Sequence, residues 1–217
     1  MAFRDHLNCI LAIGMLAFVT PTIAACSDNT NGPERVYIAN NFGELIEESL
    51  SGPFLQEFDR GVLERAKVAG RIEQADYDEA YSRFEQCMRA VDEPVTLKKL
   101  SNGLYKVETT PLSPGESLDS AMDKVTECSK GTTFHIAGLY GIQQGNPKLL
   151  ANPDQVAYEC LEAKGLVSSD FSLEEFTEAM TKPGNPGQST QDRVPFDLYE
   201  DEAQACLVGA NMSYSKG

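Results

Sequence analysis

Between residues 51 and 91 apolar side chains recur three and four positions apart, and the positions between them are largely polar or charged. Phe54, Leu55, Phe58, Val62, Ala66 and Ala69 form one stripe, whose spacing predicts an amphipathic helix starting after Ser51-Gly52-Pro53 and stopping at Gly70. Gly61 weakens that helix by about 1 kcal/mol relative to alanine, unless close packing needs a missing side chain there. Tyr77, Ala80, Tyr81, Phe84, Cys87, Met88 and Val91 form a second stripe. The short connection Gly70-Arg71-Ile72-Glu73 predicts that the two helices fold back as an antiparallel hairpin. Ahead of them, residues 34–50 predict a short helix or an extended segment with Phe42, Leu45 and Ile46 inward.

The period then changes. Val95 to Leu100 and Leu104 to Thr110 flank Ser101-Asn102-Gly103, which predicts a two-stranded ribbon that must lean on the helices to be stable. Pro111 to Gly115 is a turn-rich break, after which Leu118, Ala121, Met122, Val125 and Cys128 restore the helical period. Residues 132–144 are mostly apolar and read as helical despite Gly138 and Gly141. Asn152-Pro153 predicts a helix start, with Val156, Ala157, Cys160 and Leu161 buried and Lys164-Gly165 at its end. Ser172-Leu173-Glu174-Glu175 is a capping box, with Phe171 and Phe176 placed as a hydrophobic staple. A loop over residues 181–195 leads to a last helix carrying Tyr199, Ala203, Cys206, Leu207 and Ala210. The expected fold is mainly α, a disulfide-stapled helical domain with one small β-hairpin.

One apolar run falls outside this pattern. Cys9 to Val19 is unbroken apolar or small, follows a thin positive start at Arg4, and is too short to span a bilayer. Pro21 breaks it, and Ile23-Ala24-Ala25-Cys26 resembles the lipobox of bacterial lipoprotein signals. That resemblance implies removal of residues 1–25 as a signal peptide and a diacylglyceryl group on the Cys26 thiol, with further acylation such as palmitate. Two or more acyl chains give a durable anchor. The alternative is an ordinary secretory peptide that leaves Cys26 as a free thiol. Residues 26–33 are small and polar, as a flexible tether would be, and residues 34–217 are expected to form a single helical domain. The implied location is the outer face of the bacterial cytoplasmic membrane.

Charge narrows the partners. Losing residues 1–25 removes one base, Arg4, and one acid, Asp5, so the formal net charge stays at −15. Such a surface repels nucleic-acid phosphates and anionic headgroups, so no nucleic acid is expected and the membrane is reached through the lipid. The four remaining cysteines, Cys87, Cys128, Cys160 and Cys206, read as disulfides in an oxidising compartment and allow three pairings. Pairing in sequence order, Cys87 with Cys128 and Cys160 with Cys206, closes two loops of about forty residues each. Cys87-Met88-Arg89-Ala90 and Cys160-Leu161-Glu162-Ala163 look faintly alike, through either a duplicated half or shared helix-end chemistry.

Candidate chemistry is sparse. His135 is the single histidine left after residue 25, and no motif supplies it with a nucleophile or an orienting carboxylate. Asp76, Asp78 and Glu79 lack the ligand pattern of a calcium loop and fit the charged first turn of a helix. No catalytic residue, metal ligand or cofactor is expected.

The fragments Gly70-Arg71-Ile72 with Asp76-Tyr77, Cys87-Met88, Asn146-Pro147, and Glu159-Cys160-Leu161 followed by Gly165 resemble acidic cell-surface lipoproteins of Gram-positive actinobacteria. That group has no assigned chemistry, so the resemblance carries over no catalytic residue. The expected function is a non-enzymatic binding or accessory lipoprotein serving a membrane transporter or envelope complex. An envelope hydrolase using carboxylates and a small-ligand receptor are the alternatives. A deep pocket gathering His135 with carboxylates would favour the enzyme, and an exposed apolar groove the binding protein.

Overall fold

Polar caps and apolar stripes divide the chain into helices that pack around two apolar centres. The computed structural model describes residues 35–109 and 115–214. The expected signal peptide, Cys26, the expected tether and residues 110–114 lie outside the described residues.

Helix α1 (Phe42–Leu50) is capped by Asn41, whose side chain accepts from the Glu44 N–H, and it buries Ile46 completely. Ser51 closes α1 rather than opening the next helix. Helix α2 (Glu57–Ala69) begins later than its stripe suggests, because Phe54 takes a left-handed backbone (φ 62°) and the Asp59 carboxylate receives the Gln56 N–H at 2.6 Å. Phe54 is therefore 50% exposed, and Ala69 also lies on the surface. Gly70 ends α2 with φ 73°, as a residue without a Cβ can.

Helix α3 (Gln74–Ala90) runs antiparallel to α2. The Arg65–Asp76 ion pair joins them near the turn, and the Arg83 guanidinium sits 4.1 Å from the Phe58 ring centre further along. Its stripe is buried as expected, except that Cys87 is half-buried and Val91 forms the exposed C-cap. The ribbon β1 (Val95–Lys99) and β2 (Tyr105–Thr109) pairs Val95 with Thr109 and Lys99 with Tyr105. Its turn end leans on helices: the Tyr105 N–H donates to the Tyr77 hydroxyl, and Asn102 donates to the Ala205 carbonyl.

Helix α4 (Leu118–Ser129) departs most from its pattern. Cys128 is buried, but Leu118 and Met122 on the same stripe are 65% and 53% exposed. The Cys87–Cys128 disulfide and the ion pairs of Lys124 with Glu93 and Glu116 hold it to α3 and the preceding loop. Helix α5 (Ile136–Gly145) follows and packs on α3 through Leu139 and Tyr140, with Phe134 left exposed ahead of it. These elements enclose the first apolar centre.

The second centre lies between α6 (Pro153–Ala163), α7 (Leu173–Thr181) and α8 (Asp201–Gly209). Asn152 caps α6 through the Asp154 and Gln155 N–H groups, and Ser172 and Glu175 form the reciprocal box that opens α7. The loop before α8 holds a 3-10 turn at Gln191–Arg193. Helix α8 is enclosed on nearly every side: Ala203, Gln204, Ala205, Cys206 and Leu207 are all buried. Cys160–Cys206 joins α6 to α8, so each apolar centre has its own disulfide and both pairs follow sequence order. A ribbon separates the first pair of bridged helices, whereas α7 and a long loop separate the second, so the two halves do not repeat one element order.

Candidate functional site

The two centres meet where α5 crosses α8. A Cβ built on Gly145 would lie 2.3 Å from the Gly209 Cα, so two glycines let these helix backbones touch. Beside the crossing the centres diverge, and a half-open cleft of about 500 Å3 remains between them. That volume falls within the usual range of small-molecule sites.

Three structures build its walls. On α5, Ala137, Gly138, Gly141 and Ile142 face the opening, and a Cβ added to Gly138 or Gly141 would meet nothing within 4 Å. From α8 and its end come Val208, Gly209 and Ala210. The third wall is the segment after α5. Asn146 is buried, donates its side-chain amide to the Leu150 carbonyl at 2.8 Å and accepts the Leu150 N–H at 2.9 Å. This clasp sets Leu150 at the cleft and presents residues 149–151 to the first described segment, where Ile38 N–H donates to Leu149 and Ala151 N–H to Val36. Ile38 thereby becomes part of the rim.

Tyrosines form the inner end. Tyr77 stacks on Tyr140 with ring centres 4.2 Å apart and on Tyr105 at 5.7 Å, and Tyr81 meets it edge-on at 4.9 Å. Two of their hydroxyls are turned to protein partners: Tyr77 accepts the Tyr105 N–H at 2.9 Å, and Tyr140 donates to Gln74 at 2.7 Å. Burial, followed by the neighbouring Tyr81, pushes the Tyr77 phenol above the ordinary tyrosine range. Burial likewise raises Tyr81 and Tyr140. These phenols remain protonated at neutral pH and supply neither base nor nucleophile there.

Asp78 stands behind this group, outside the cleft lining. Burial works to raise its carboxyl, but hydrogen bonds from Lys99 and Gln74, with the Lys99 charge, outweigh that and hold it low. Among the described residues no charged side chain lines the cleft.

No family model, curated protein or solved structure matches the chain. The site is accordingly defined by its own geometry.

The residues singled out from sequence lie elsewhere. His135 Nε2 is 2.7 Å from the Pro53 carbonyl, and the missing side chain of Gly52 makes room for its ring, so this histidine ties the loop after α1 to the start of α5. Neither it nor any described carboxylate lines the cleft. Asp76 pairs with Arg65, Asp78 with Lys99 and Glu79 with Arg83, all at or near the start of α3. Among the described residues no group of three or more His, Cys, Asp or Glu side chains could hold a metal ion, and no helix is long and apolar enough to cross a membrane. Sequence reasoning missed Gly138, Gly141, Gly145 and the tyrosine cluster as parts of one site. The glycine spacing of three and four was the available signal, since it places all three along neighbouring positions of one helix face.

Proposed function

We propose that the protein is a lipid-anchored extracytoplasmic binding protein that works through the cleft between α5 and α8, not through catalysis. The observation that carries this is the cleft's composition: apolar walls drawn from both centres, with His135 and the carboxylates placed elsewhere. A hydrolase needs an activated water or nucleophile, commonly from a histidine, a metal or a tuned carboxylate pair. An apolar, glycine-walled recess instead suits removal of hydrocarbon surface from water. The lipobox-like Ile23-Ala24-Ala25-Cys26 and the likeness to acidic surface lipoproteins support anchoring at the outer face of the cytoplasmic membrane. Anchored there, the domain serves as an accessory to a transporter or envelope complex, presenting or receiving what its cleft holds. Intact-mass measurement on membrane-extracted protein tests the anchor: a diacylglyceryl addition on Cys26 is expected. An unmodified N-terminus at Ala25 or Ser27 would contradict it. In a deletion strain, Cys26→Ser is expected to fail to restore the phenotype, and full restoration would contradict a role at the membrane.

A further inference from the structure

We infer that the ligand of the cleft is the hydrocarbon chain of an uncharged membrane amphiphile, taken up with its polar head left at the rim; this rests on the cleft being the binding site. Two of the polar side chains inside are already committed. Both ends of the Asn146 amide are bound to Leu150, and the Tyr77 hydroxyl accepts the Tyr105 N–H at 2.9 Å. What the lining offers an occupant is alkyl and ring carbon: Leu104, Ile142, Leu150, Val156 and Val208 with the tyrosine rings. A ligand rich in hydrogen-bonding groups would lose its water and find few partners, at a cost for each unpaired group. A hydrocarbon chain incurs no such cost. Charge agrees, since no charged side chain of the described residues lines the cleft and the protein as a whole carries a formal −15, which repels an anionic ligand.

The position of the rim points to the source. Ile38 lies on it, only three residues after the first described residue, Arg35. Residues 26–34, fully extended, reach at most about 30 Å. A lipid on Cys26 would thus keep the rim close to the leaflet that holds such amphiphiles.

The test uses the full chain carrying Cys26→Ser, so that no acyl group of its own competes, titrated calorimetrically with n-alkyl β-maltosides below their micellar concentrations. Each added methylene is expected to tighten binding about fourfold through the shorter members. Affinity independent of chain length would overturn the assignment. Gly141→Leu, whose side chain enters open space in the cleft, is expected to weaken binding of the longest soluble member at least tenfold while circular dichroism stays unchanged. Gly138→Leu provides a second block at another point of the same wall. A folded variant of either kind that binds as the parent does would overturn the assignment. Failure of the maltoside series would reject the hydrocarbon ligand but leave the cleft itself to be judged by cleft-blocking variants in cells.

Discussion

Gly145 of α5 and Gly209 of α8 are in backbone contact, and a Cβ on Gly209 would lie 2.8 Å from the Gly145 Cα. The contact joins the two apolar centres and fixes the spacing of the cleft beside it. Gly138 and Gly141, on the same helix as Gly145, have open space where a Cβ would stand.

The glycines of α5 should therefore respond in opposite directions. Gly145→Ala forces the helices apart, and overpacking of this kind costs about 1–3 kcal/mol. Gly141→Ala and Gly138→Ala remove a poor helix former without a clash and should gain about 0.5–1 kcal/mol. Urea denaturation of the three variants compares them directly. Equal effects would mean that the crossing is not close.

The disulfides should differ in what they hold. Non-reducing peptide mapping should return Cys87–Cys128 and Cys160–Cys206. Replacing both Cys160 and Cys206 with alanine loosens the enclosed helix α8 and should lower global stability by about 2–5 kcal/mol. Replacing Cys87 and Cys128 releases α4, whose outer face carries the exposed Leu118 and Met122. Amide exchange should accelerate mainly over Leu118–Ser129 while α6 and α8 stay protected.

Signals acting over three or four residues are legible in the sequence. The Asn152 and Ser172 caps, the Gly70 stop and the ribbon turn at Ser101-Asn102-Gly103 appear where the local chemistry calls for them. Features that depend on distant neighbours are not. The stripe on α4 looks like a core face, but too little structure covers Leu118 and Met122. The positions Ala203, Cys206, Leu207 and Ala210 mark α8 but understate its burial, because Gln204 and Ala205 between them are enclosed as well. The cleft is hidden for a related reason: Leu150, Val156 and Val208 have the same chemistry whether they face a packed core or an opening. Even the glycines, visible at 138, 141 and 145, do not reveal which of them meets another helix and which meets space.

Alkali should expose the tyrosine cluster. Burial raises the Tyr77 phenol above the ordinary tyrosine value of about 10, so its neutral form is favoured in the folded state. The associated stability is present in full below pH 10 and is lost as pH rises from there toward the higher folded value. Absorbance at the phenolate band should show the exposed tyrosines titrating first and the buried ones only together with loss of the near-ultraviolet dichroism. Tyr77→Phe, which leaves the Tyr105 N–H without its acceptor, should cost about 1–3 kcal/mol at neutral pH. Smooth titration of every phenol around pH 10 in a folded protein would argue against the packed cluster.

His135 should prove structural. His135→Ala removes the partner of the Pro53 carbonyl and should cost about 1–3 kcal/mol in thermal or denaturant unfolding. At temperatures where the variant stays folded, binding at the cleft should match the parent. A loss of function without a loss of stability would restore the histidine as an active group.

The most direct measurement is complementation of a deletion strain by Gly141→Leu, with the variant's folding and membrane attachment measured in the same cells. Action through the cleft predicts a protein that is folded, at least as resistant to unfolding as the parent, present at the membrane in normal amount, and unable to restore the phenotype. Full restoration by that folded and anchored variant would contradict binding through the cleft.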